Sequence, residues 1–111
     1  MSDSLRKKLS AGQIEDAILG LNSGCYARRY NNAFLLGRHK ISQAVKPLVE
    51  RYDREYDDDV RGAIIDALGK IGGDEAVRKL KEIIVKNDEM SAIALRQLNK
   101  KKKLIEHLLS L

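Results

Sequence analysis

The sequence predicts an all-α protein, a short α-solenoid in which antiparallel helix pairs stack side by side. Three observations point there. Apolar and small residues recur three and four positions apart, as on one face of a helix; glycine, asparagine and aspartate punctuate these stretches; and the whole pattern returns after 32 residues.

The first element is "SAGQIEDAILGL". Ser10 with Gln13 three residues later forms a capping-box signature, and Ile14, Ala17, Ile18 and Leu21 then share a face. With the short segment from Leu5 to Leu9 ahead of it, this helix reads as an N-terminal cap, residues 1–23. The clearest helix pair is further along. Val60, Ala63, Ile64, Ala67, Leu68 and Ile71 make one face, preceded by Asp57, Asp58 and Asp59, whose carboxylates suit free helix amides. Gly72 and Gly73 supply the backbone that ends this helix, Asp74 is expected to cap the next, and Ala76, Val77, Leu80, Ile83 and Ile84 form the second face. The Gly-Gly is thus a hairpin hinge. A phosphate-binding loop needs a preceding strand and a Lys-Ser/Thr ending, and neither is present.

Shifted back by 32 residues, the chain repeats itself: Arg29 falls on Arg61, Gly37 on Gly69, Arg38 on Lys70, Ala44 on Ala76, Val45 on Val77 and Leu48 on Leu80. "LLGRHKISQAVKPLVE" is therefore the same unit as "ALGKIGGDEAVRKLKE", and Pro47 falls early in its second helix, where a missing amide costs least. A weaker third copy places Ala92, Ala94, Leu95 and Leu98 in one helix and Leu104, Ile105, Leu108 and Leu111 in another. The expected organisation is one domain, residues 1–111: a cap (1–23), repeat 1 (24–56), repeat 2 (57–88) and a degenerate C-terminal repeat (89–111).

"DDDVRGAIIDALGKIGGDEAVRKLKEII" resembles the HEAT-like repeat of the type associated with phycobilisome bilin lyases: Val-Arg, spaced alanines, Ala-Leu-Gly-Lys-Ile-Gly, an acidic turn, then Ala-Val-x-x-Leu. The likeness is strong over 57–84 and moderate over 28–52. It implies a helical solenoid, scaffolds, adaptors, lyase subunits and regulatory modules among its functions, and a repeat-stacking role for Arg61.

Repeat 1 departs from the pattern. Tyr30, Asn31 and Asn32 replace Gly62, Ala63 and Ile64. Either this helix is end-exposed and its asparagines meet water, or Tyr26, Arg28, Arg29 and Tyr30 present an aromatic and guanidinium surface for a partner. Tyr52 aligns with Ile84 and is expected in the core, whereas Tyr56 lies off the repeat face.

Chemical motifs are few. His39 and His107 are isolated and expected to play structural parts, and the acidic run from Asp53 to Asp59 lacks the glycine and closing glutamate of a calcium loop. Cys25, the single cysteine, is expected to pack in a helix as a small apolar residue. No catalytic residue, metal or cofactor is expected. Apolar runs fall far short of the roughly 20 residues that cross a bilayer, and the start does not open a secretory signal, so the expectation is a cytoplasmic protein without membrane contact.

The net charge of +5 is unevenly spread: residues 1–40 carry seven Lys/Arg and three Asp/Glu, residues 41–90 nine and twelve, and residues 91–111 five and one. Charge of this kind steers partners rather than fold. The favoured function is a non-enzymatic protein-interaction scaffold or adaptor, with Lys46 and Glu50 on one inner helix and Lys79, Glu82 and Lys86 on the next as further candidate contacts, by analogy with the family. The alternatives are a nucleic-acid-binding repeat protein using Lys100, Lys101, Lys102 and Lys103, and, by analogy alone, an accessory subunit of a bilin lyase-like enzyme. "LIEHLLSL" is apolar around most of its circumference and is a candidate homodimer contact.

Overall fold

A computed structural model describes residues 7–86, 96, 98–100, 102–103 and 107–110. The elements are α1 (Ala11–Gly20), α2 (Tyr26–Arg38), a 3₁₀ turn (Ser42–Ala44), α3 (Val45–Arg54), α4 (Asp58–Ile71) and α5 (Asp74–Val85), with no strand among the described residues. Of the two helices expected in the third repeat, Ala92, Ala94, Leu95, Leu104, Ile105 and Leu111 lie outside that set, as do Leu5 and Lys101. No described helix is long and apolar enough to cross a membrane.

Local chemistry accounts for the helix ends. Ser10 Oγ accepts the Gln13 amide at 3.1 Å while Gln13 Oε1 accepts the Ser10 amide at 2.8 Å, completing the capping box of α1. Asp57 Oδ1 accepts the Val60 amide at 3.0 Å and starts α4. The hinge after α4 uses Gly72 and Gly73 at φ 77° and 92°. Gly73 itself takes the cap position of α5 and Asp74 becomes its first residue, so Asp74 serves the helix dipole rather than capping as expected. At the end of α2 the amides of Lys40 and Ile41 donate to the carbonyls of Gly37 and Leu36, with Lys40 at φ 50°, which is a Schellman closure built on a lysine. Pro47 occupies the third position of α3, inside the first turn, where no intrahelical donor is lost.

The α2–α4 pairing is the most extensive among the described helices; α3 packs on α4 and α5, and α1 closes against α2. The first helices of the two repeats therefore stack on one another, and so do the second helices. A Cβ added to Gly37 would lie 2.6 Å from the Ala67 Cα, so α2 and α4 touch backbone to backbone at that point. Leu36, Leu48, Ile64, Ile65, Leu68 and Leu80 are fully buried in the shared core, with Tyr52 in it as expected, and Leu98 packs against its edge.

Candidate partner-binding surface

Of the four residues expected on the α2 surface, three are there. Tyr26 and Tyr30 are 57% and 40% exposed, and Arg28 is exposed beside them. Arg29 is not: it is 2% exposed, turned inward on the same helix. Its Nε and Nη2 donate to the two carboxylate oxygens of Glu55 at 2.8 and 3.0 Å, and its Nη1 donates to the Ser23 carbonyl at 2.9 Å. Arg29 is thus withdrawn from any partner surface. The reason is the stacking of repeats, which brings the turn after α3 over the start of α2, where a planar guanidinium fits a carboxylate in two places.

Glu55 is the hub of that turn. It also accepts Arg51 Nε and the Asp57 amide, each at 3.1 Å. Burial works against its charged form, but the bonds from Arg29 and the Asp57 amide outweigh it and lower its pKa, while Glu55 in turn raises that of Arg29. Nearby, Arg61 lies over the Tyr52 ring at 4.3 Å, donates to its hydroxyl at 2.7 Å and reaches the Glu55 carbonyl at 3.1 Å.

The second helices hold the other predicted row. Lys46, Glu50, Glu82 and Lys86 are exposed, but Lys79 is buried at 6%. Its ammonium binds Asp53 of α3 and Glu82 of α5 and sits 5.4 Å from the Tyr52 ring centroid, so it ties α3 to α5 instead of facing a partner. Burial opposes its charge; the two carboxylates more than compensate and raise its pKa. No buried side-chain nitrogen or oxygen among the described residues lacks a hydrogen-bond partner, so these networks are complete within the chain.

Phe34 was not singled out from the sequence, although it stands four residues after Tyr30. It is 44% exposed, and Tyr26, Tyr30 and Phe34 form a single row along α2. Beside that row lies a groove of about 320 Å³ between α2 and α4, lined by Tyr30 and Phe34 on one side and by Asp58, Asp59, Gly62, Ala63 and Asp66 on the other. Asn31 is exposed and Asn32 half-buried, its amide donating to the Arg28 carbonyl at 2.8 Å.

A family model for HEAT repeats matches residues 14–99. The chain belongs to the HEAT repeat family. A search of curated proteins finds no match. The matched model describes HEAT repeats in general and says nothing of bilin lyases. The HEAT period is visible in the bonding itself: Arg29 and Arg61, 32 residues apart, each send Nη1 to the carbonyl six residues earlier, at Ser23 and Glu55, also 32 apart. Other features have local roles. Arg38, His39, Lys40 and Lys70 line a basic cavity near the ends of α2 and α4, where cations complement helix carbonyls. Cys25 is exposed at the cap position of α2 rather than packed, and the Arg28 and Ala27 amides lower its thiol pKa. Lys100, Lys102 and Lys103 are exposed, as are Leu108 and Leu109. Among the described residues no three His, Cys, Asp or Glu side chains converge as a metal site.

Proposed function

We propose that this HEAT repeat chain is a non-enzymatic scaffold or adaptor of the cytoplasm, docking a protein partner on the exposed aromatic row of α2. HEAT repeats generally mediate protein–protein interaction. The observation that carries the reading is the row itself: three large aromatic side chains, Tyr26, Tyr30 and Phe34, left facing solvent on the helix that forms the principal packing contact of the fold. Exposed aromatics in a contiguous line are the residues interfaces use as anchors. In this reading residues 1–23 cap the stack, 24–56 and 57–88 are its working repeats, and 89–111 close it.

A photo-crosslinking residue at position 30, introduced into the full chain in its own host, tests this. The expected result is one dominant cross-linked protein, lost when Tyr26 and Phe34 are both replaced by Ala in a variant that melts like the parent. Undiminished capture by that variant overturns the reading. Exposed Leu108 and Leu109 favour an added self-association through the C-terminal segment. Sedimentation should then show a dimer that Leu109→Glu dissociates; a monomer at high concentration removes it.

A further inference from the structure

The groove between α2 and α4 has two walls of different chemistry. On α2, Tyr30 and Phe34 are one helical turn apart and partly exposed; on α4, Asp58, Gly62 and Asp66 follow one another at the same four-residue interval, with Asp59 and Ala63 beside them. Gly62 and Ala63 are small, so the floor stays open between the carboxylates. Asp58 and Asp59 make no ion pair with any other described residue. A π face opposite a carboxylate is suited to a cation, which gains from the ring quadrupole and from the charge together.

The chain fills one end of the groove with a cation of its own. Lys70 Nζ lies 5.5 Å from the centroid of the Phe34 ring and 2.9 Å from Asp66 Oδ2. That is the arrangement of an aromatic wall, a cation and an α4 carboxylate, already realised inside the molecule. The other end, at Tyr30, Asp58 and Asp59, carries the same two walls, with no cation of the described residues between them.

We propose that this groove takes a basic segment of a protein partner, seating an arginine guanidinium between Tyr30 and the carboxylates of Asp58 and Asp59. The inference rests on the scaffold reading and names the chemistry of its partner. Arginine suits the place better than lysine because its planar head can stack on Tyr30 while its N–H groups reach both aspartates. The intramolecular cation at the far end competes for the same walls: Lys70 holds Phe34 and Asp66, so its removal leaves the whole groove to the partner.

Fluorescence anisotropy on the full chain tests this with a labelled twelve-residue peptide of alternating Arg and Leu, and with two controls in which every Arg is Lys or Glu. The expected results are saturable binding of the Arg peptide, weaker binding of the Lys peptide and none of the Glu peptide. Asp58→Asn with Asp59→Asn should weaken the Arg peptide about tenfold or more. Lys70→Met should tighten it by about threefold or more, a gain that damage to the fold cannot imitate. No saturable binding, equal affinity for the Arg and Glu peptides, an unchanged Kd in the double aspartate variant, or no gain from Lys70→Met each overturn the proposal. The two readings fail separately. Cross-linked capture from position 30 that survives Asp58→Asn with Asp59→Asn leaves the scaffold standing and removes the basic partner, whereas absence of any capture removes the scaffold.

Discussion

Arg29 and Glu55 form the most enclosed charge pair among the described residues, with side-chain exposures of 3% and 0%. Removing one partner of such a pair leaves the other charge buried and uncompensated, so Glu55→Gln should lower the melting temperature at neutral pH by at least roughly 10 °C. The pH dependence has a definite sign. Glu55 has its pKa lowered by folding, so its contribution is fully present above the unfolded carboxylate value of about 4.3 and is lost as pH falls through the lower folded value. Below about pH 4 the wild type should lose stability more steeply than Glu55→Gln, as read from thermal melts across that range. Cys25 gives a second check at this scale. Its depressed pKa and exposure predict alkylation by iodoacetamide with a half-rate pH below the roughly 8.5 of a free thiol; a midpoint at or above that value would contradict the helix-amide effect. Neither role was legible in the sequence alone. Arg29 sits among Tyr26, Arg28 and Tyr30 and resembles one more surface group, while its partner lies 26 residues away and meets it only when the repeats stack. A signal did exist: the 32-residue alignment paired Arg29 with Arg61, and the stacking role assigned to one belonged to both.

Whole elements were easier to read than single contacts. The capping box of Ser10 and Gln13, the start of α4 at Asp57 and the Gly72–Gly73 hinge follow from side chains acting on backbone only a few residues away. The aromatic row was seen in part, since Tyr30 stood out where the second repeat has Gly62, with Tyr26 one turn before it, but Phe34 lay inside an apolar run that reads as core. Two substitutions probe how elements end and meet. Lys40 holds a left-handed conformation at the position that Gly72 fills in the next repeat, so Lys40→Gly should stabilise the protein by roughly 1 kcal/mol in urea unfolding. Gly37→Ala should do the opposite. Its new methyl would meet the Ala67 backbone, which cannot rotate away, and forcing α2 from α4 should cost about 1–3 kcal/mol. If both variants unfold like the parent, neither the αL closure nor the helix contact has the weight assigned to it.

Across the molecule, charge separates a protein partner from a nucleic acid. Tyr30 and Phe34, which could stack on bases, share their groove with Asp58, Asp59 and Asp66, which repel phosphate, and the exposed lysines at 100, 102 and 103 lie elsewhere in the chain. Replacing Lys100, Lys101, Lys102 and Lys103 with Gln should therefore leave partner capture nearly unchanged. Affinity for a generic duplex or single strand that falls steeply between about 50 and 200 mM salt, with a slope flattened by up to roughly four units in the four-Gln variant, would reverse that assignment. The Glu55 hub has a further consequence. One residue in the turn joining the repeats receives on its carboxylate Arg29 from the first helix of repeat 1 and Arg51 from its second, its backbone carbonyl receives Arg61 from repeat 2, and Lys79 ties the two second helices together. Repeat arrays can in general fray from an end, one unit at a time. Here the two repeats share their fastenings, and neither can open without exposing charges belonging to the other; they should melt as a single cooperative unit, with calorimetric and van't Hoff enthalpies equal.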